Sequence, residues 1–273
     1  MRFLFFLFLV LSVGMMRSQS FDIVYKEISR REIDRPQETY TDYMMLEIRG
    51  GMSLYYSKLN RLNNSVCDSL KNIGQTLAEN PEIRQRLKDI RPFHLQVAKN
   101  YPQRGVFTNS DYIMEFAYYE DELPVLRWKI SNKRRVILGY DCVMAETDLY
   151  GRHWVVWYAE EIPLSEGPWL LNGLPGLILA AEDDEQIFSM EAVGMQKKDQ
   201  VDINILNKGK LYSKKRFWES RREHDENPSA AIKRFLGFTS NKTQFVFHDM
   251  DENGNFVTID EYPPVHLHYY EKE

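Results

Sequence analysis

The sequence predicts a β-rich α+β chain, built as a curved, half-barrel-like antiparallel sheet packed on a few helices. Three observations predict it. Apolar residues alternate with polar ones in run after run between Phe21 and Tyr269, as half-buried strands do. One stretch, residues 57–91, changes to a spacing of three or four, the period of an amphipathic helix. Gly, Pro and Asn separate the runs, which suits a meander. With no low-complexity linker and no internal repeat, residues 21–273 read as a single domain.

The first 20 residues stand apart. Met1-Arg2 is a short basic start, and Phe3 to Val13 is apolar except for Ser12. That run suits the apolar part of a cleavable signal peptide and is shorter than the roughly 20 residues a membrane span needs. Ser18-Gln19-Ser20 offers small residues for cleavage after Ser20. The expectation is an exported, soluble chain, periplasmic or associated with the outer membrane, with no transmembrane segment after cleavage. The formal charge is −5 and becomes −7 once Arg2 and Arg17 leave, which argues against a nucleic-acid partner.

Strands are expected at Phe21 to Ile28, Met44 to Ile48 and Met52 to Tyr56, the last two joined by a Gly50-Gly51 turn. Leu59, Leu62, Val66, Leu70, Ile73 and Leu77 mark the inserted helix, and Asn80-Pro81 restarts a second one that ends near Arg91-Pro92. Strand patterns follow at Phe93 to Val97, Tyr112 to Tyr118, Leu126 to Ile130, Trp154 to Tyr158, Gly176 to Ala181, Ile187 to Val193 and Val201 to Leu206. Lys214 to Glu223 reads as a basic helix, either solvated or facing an acidic partner or anionic lipid, and Asn227-Pro228-Ser229 opens another. Phe245 to Phe247, Phe256 to Ile259 and Val265 to Tyr269 return to strands.

The most distinctive stretch runs from Leu138 to Leu179. It carries Gly139-Tyr140-Asp141-Cys142, Gly151-Arg152, Trp157-Tyr158, Ile162-Pro163, Gly167-Pro168 and Gly173-Leu174-Pro175-Gly176-Leu177-Ile178. These elements and their order resemble the GLPGLI family, exported proteins of Gram-negative bacteria named for that hexapeptide. Ala159 stands where the family more often has a hydroxyl residue, and the charged stretch after Glu182 also departs from it. The resemblance implies compartment and shape; it implies no reaction and no cofactor. Read physically, Leu174-Pro175-Gly176-Leu177 fits a type II turn with Gly176 at positive φ. Gly173 allows a second unusual backbone conformation or a close chain approach. The apolar turn is then either a buried structural corner or a recognition loop for a lipid, peptide or partner protein.

Other chemistry is sparse. Cys67 and Cys142 are a possible disulfide in an oxidising compartment, or two buried thiols. Asp249, Asp251, Asn253 and Gly254 imitate the start of an EF-hand loop, but position 12 is Asp260 and the flanks look like strands, so a hairpin is the simpler reading. His266 and His268 share one face of a strand without a third ligand at diagnostic spacing. Glu160-Glu161 and Asp183-Asp184 are adjacent pairs on opposite faces, expected in solvated turns. No nucleophile elbow is present. The functional expectation is a non-enzymatic binding protein of the cell envelope, holding a hydrophobic ligand or peptide on a curved sheet. The sheet is similar to the half-barrel of periplasmic lipoprotein carriers. The alternatives are a structural or interaction partner of an outer-membrane transport or protease system, and more remotely a hydrolase or metal-binding protein.

Overall fold

A computed structural model describes residues 20–75, 79–80, 82–83, 95–198, 203, 209–235, 247–250, 256–259, 269 and 271. Strands β1 (Ser20–Ser29), β2 (Tyr40–Arg49) and β3 (Met52–Ser57) precede helix α1 (Lys58–Asn72). Strands β4 (Gln96–Lys99), β5 (Val106–Ile113), β6 (Glu115–Glu122), β7 (Lys129–Ile137), β8 (Tyr140–Leu149), β9 (Arg152–Ala159), β10 (Leu177–Asp183), β11 (Phe188–Lys198) and β12 (Lys210–Leu211) follow. Helices α2 (Lys214–Glu226) and α3 (Pro228–Phe235) come next, then β13 (Phe247–Met250) and β14 (Phe256–Ile259).

Twelve of the described strands form one sheet, in the order β12-β6-β5-β4-β3-β2-β1-β11-β10-β9-β8-β7. It is two antiparallel meanders sewn together along β1 and β11, whose register runs from Ser20↔Lys198 to Ser29↔Phe188. Only the short β12–β6 pair is parallel. β13 and β14 make a separate antiparallel pair.

Alternation decides the faces. Phe21, Ile23 and Tyr25 of β1, Met44, Leu46 and Ile48 of β2, and Phe188, Met190 and Ala192 of β11 all point into one continuous core. Trp154, Val156 and Tyr158 of β9 and Phe217 of α2 join them. The opposite parity, Leu54 and Tyr56 with Ala98 and Met45, forms a small second cluster. α1 lies on that side, where Arg61 stacks 3.8 Å over the Tyr56 ring and meets Glu47. Ser57 caps α1, accepting from the Asn60 amide at 3.0 Å.

The curvature can be measured from contacts. β6 and β9 are eight places apart in the sheet, roughly 38 Å if it were flat. Yet the Lys214 ammonium of α2 touches Asp121 of β6 at 3.1 Å and lies 4.2 Å from the ring of Tyr150, beside β9. The sheet therefore curls until its two flanks face each other, with α2 between them.

Two expected strands are drawn differently. Tyr112 to Tyr118 is a hairpin, not one strand: Met114 takes φ 63°, and Tyr112 pairs with Phe116. The alternation at Leu126, Trp128 and Ile130 belongs partly to an extended connection, because β7 begins only at Lys129. Gly50-Gly51 does make the expected hairpin, with φ of 58° and 85°. Glu82 and Ile83 are helical. The rest of the expected second inserted helix, and most of the expected strands at Val201 to Leu206 and Val265 to Tyr269, fall outside the described residues.

Candidate functional site

The connection from Glu160 to Gly176 turns inward under the sheet. Ile162, Trp169, Leu170, Leu171, Leu174, Leu177 and Ile178 are all at most 5% exposed and belong to the main core. Trp169 packs between Trp154 and Tyr150, at centroid distances of 5.7 and 6.0 Å. A non-regular segment buried this deeply must pair its backbone groups. It does so internally: Leu177 donates to Ile162 O at 3.0 Å, Ile178 to Glu166 O at 2.9 Å and Gly173 to Ser165 O at 3.2 Å. Trp128 Nε1 serves Asn172 O at 2.9 Å, and the Tyr25 hydroxyl serves Ile178 O at 2.6 Å. Burial and the nearby Glu166 charge push the Tyr25 phenol far above its ordinary pKa, so it stays a donor.

Of the two hexapeptide glycines, Gly173 meets the expectation of an unusual backbone conformation and Gly176 departs from its own. Gly173 is the left-handed residue, at φ 92°. Gly176 is not at positive φ, so Leu174 to Leu177 is not a type II turn. Gly176 is instead needed for space: a Cβ there would lie 2.1 Å from the carbonyl oxygen of Ala159. Gly167 is similar, with a Cβ falling 2.8 Å from Ile178 Cβ. Pro163 and Pro168 lie within this stretch, Pro163 exposed and Pro168 buried. Trp157 and Tyr158 point to opposite faces; Tyr158 is in the core, whereas Trp157 is half-buried outside, beneath the Arg135 guanidinium at 4.8 Å.

One charged pair fixes the segment to the sheet. Lys99 has no exposed surface, and its ammonium contacts Glu166 at 2.7 Å, Gly167 O at 2.8 Å and Leu171 O at 3.4 Å. Ser53, the register partner of Lys99, donates to Glu166 at 2.9 Å. The residue pattern hid this pair because Lys99 is the last residue of the short strand β4, which begins at Gln96. The signal was available: Lys99 has the same parity as the core residue Val97, and a lysine on a buried face needs an anion.

A second polar cluster joins α2 to the sheet. Arg221 binds both Asp225 oxygens, at 2.8 and 2.7 Å, and reaches Asp111 at 3.1 Å. Tyr269 donates to Asp225 at 2.6 Å. Burial opposes the Asp225 charge, but hydrogen bonds from His224, Arg221 and Tyr269 and the Arg221 charge hold its carboxyl below the usual value. Arg152 of the Gly-Arg element meets Asp183 at 2.7 Å with both side chains at most 2% exposed. Asp183 is therefore a buried ion-pair partner and not part of a solvated turn.

Cys142 is a free thiol, pushed up to about 11 chiefly by burial. Cys67 sits in α1, its side chain outside the described residues. Asp249 lies in β13, paired with Val257, so strands flank this stretch where an EF-hand has helices. Asp251, His266 and His268 fall outside the described residues. Among the described residues no cluster of three or more His, Cys, Asp or Glu side chains is arranged to hold a metal.

Three outcomes follow from this geometry. Gly176→Ala should cost about 3 kcal/mol or more, because the obstructing atom is backbone. Gly194→Ala, with nothing within 4 Å of the new Cβ, should change stability by less than about 1 kcal/mol; urea unfolding compares the two. Glu166→Gln should cost about 3–5 kcal/mol by stranding the Lys99 charge, and the double change Lys99→Met with Glu166→Met should cost less than the two single changes added. Because the Asp225 pKa is depressed in the folded state, its stabilisation is complete above the ordinary value of 3.8 and disappears as pH falls through the lower native value. Acid unfolding followed by tryptophan fluorescence should lose part of its pH dependence below 3.8 in Asp225→Asn.

The family model that matches is a protein of unknown function (Porph_ging), over residues 150–180. Those residues span β9, the inward segment and the start of β10. No curated protein matches the chain. Two solved structures of PNGF-II are similar at 16% identity. The one in space group C2 covers 74% of this chain with a TM-score of 0.49, and the one in P21 covers 86% with a TM-score of 0.48. This chain spans 32% and 39% of those chains, about a third of their length.

Proposed function

We propose that this chain is an exported, GLPGLI-type protein of the Gram-negative cell envelope that works through contact with a partner and not through catalysis. The observation that carries the choice among binding modes is the filling of the sheet's apolar face by the chain itself. A lipid or acyl chain would need the room that Ile162, Trp169, Leu170, Leu171 and Leu174 occupy. This filling favours a partner held on the outside of the protein over a hydrophobic ligand held within it. The polar groups on the buried side are also engaged structurally: Lys99 with Glu166, and Arg152 with Asp183. A partner in an outer-membrane transport or protease system suits this reading.

The test is native mass spectrometry of the protein gently released from the envelope of cells that make it. The expected mass is that of residues 21–273 with nothing attached. A lipid or other small molecule bound at one per chain would overturn the reading, as would a chain that stays in the cytoplasm with residues 1–20 intact.

A further inference from the structure

Tyr269 and Glu271 are each held by several side chains of the sheet and of α2. Arg152 of β9 donates to the Tyr269 carbonyl through Nε at 3.1 Å and Nη2 at 2.9 Å. The Tyr269 ring packs on Trp218 of α2 at 5.3 Å, and its hydroxyl reaches Asp225. Two residues on, the Glu271 carboxylate meets the Lys214 ammonium at 3.2 Å and accepts from the Tyr119 hydroxyl of β6 at 2.6 Å. The grip thus crosses the cleft between the two flanks of the curled sheet.

The host groups do not depend on the tail for their positions. Arg152 is held by Asp183, Asp225 by Arg221, and Lys214 by Asp121. A site whose members have other partners keeps its shape when its occupant leaves, which lowers the cost of binding again. Among the described residues, Trp218 Nε1 and Asn109 Oδ1 are buried with no hydrogen-bond partner, and Asn109 donates to the same Tyr119 hydroxyl that holds Glu271. An unserved buried donor or acceptor is destabilising, and an occupant that serves it binds more tightly.

We propose that this cleft is a peptide-binding site, filled in cis by Tyr269 and Glu271, and that it takes an aromatic-x-acidic segment of a partner protein by exchange with them. This rests on the partner-contact reading above and names its surface. Recognition is by a main-chain carbonyl on Arg152, an aromatic ring on Trp218, a hydroxyl on Asp225, and a carboxylate on Lys214 and Tyr119.

The test uses the full chain carrying Tyr269→Ala and Glu271→Ala, with circular dichroism and melting temperature as checks of folding. The probe is a fluorescein-labelled peptide with the sequence of residues 269–273, read by polarisation. Saturable binding is expected, at least tenfold tighter to this variant than to the wild-type chain, whose own tail competes. Replacing the peptide's third residue, glutamate, by glutamine should weaken binding at least tenfold, and so should adding Lys214→Met to the protein. A folded variant that ignores the peptide, or that binds both peptides equally, overturns the proposal. If the variant does not fold, hydrogen exchange on the wild-type chain decides: amides of residues 269–273 protected as strongly as those of β1 would overturn it, and exchange at least a hundredfold faster than β1 would support it. A dimer in sedimentation that the free peptide dissolves would assign the cleft to a second copy and overturn the partner reading. None of these readouts depends on whether a small molecule copurifies, so the two proposals fail separately.

Discussion

Lys99 and Glu166 meet beneath the sheet, and the segment between β9 and β10 is built around that meeting. An ammonium group with no exposed surface is tolerable only if oxygens surround it. Glu166, Gly167 and Leu171 supply them, all three from the inward segment. The pair therefore sets how the segment lies on β3 and β4, since Ser53 and Lys99 stand opposite each other in register. Once it lies there, its apolar residues fill the core and Gly176 must pass against Ala159 with no side chain between them. The ion pair supplies position, while burial of Trp169, Leu170, Leu171 and Leu174 supplies most of the stabilisation.

The curl of the sheet is the second consequence. Two meanders joined at β1 and β11 would leave an apolar face open. Here the inward segment covers one part of that face, and α2, entering through Phe217 and Trp218, covers another. The aromatic contacts from Phe107 through Tyr119 to Phe217 and Trp218 tie α2 to β5 and β6. Arg152 approaches from the far flank, so the cleft between the flanks is lined by groups drawn from both ends of the sheet.

Much of this was legible in the residues, and the failures have physical causes. Period-two alternation located β1, β2, β9 and β11, because one face of each is more buried than the other, whereas β3 and β10 are buried on both faces and were marked by the turn residues before them. It merged β5 with β6, because Met114 adopts a left-handed conformation that no glycine announced. Leu174, Leu177 and Ile178 left two readings of the hexapeptide open, a buried corner or a recognition loop, and the unusual conformation of Gly173 was anticipated while the role of Gly176 was not. A glycine required for φ and a glycine required for space look alike in one sequence, and Gly176 proved to be the second kind. The long-range ion pairs were hidden for another reason. Lys99 and Glu166 are 67 positions apart, and only the fold brings them together. Lys99 nonetheless gave a local sign of its burial, since it falls on the core parity of β4.

The most direct measurement of the central claim is hydrogen exchange at the backbone amides of Gly173, Leu177 and Ile178, which donate within the inward segment. If that segment is the permanent filling of the core, these amides exchange only through global unfolding, with the same opening free energy as Ile23 in β1. Exchange of these amides through a separate, low-energy opening, while β1 stays protected, would show a segment that leaves the core and would contradict the account.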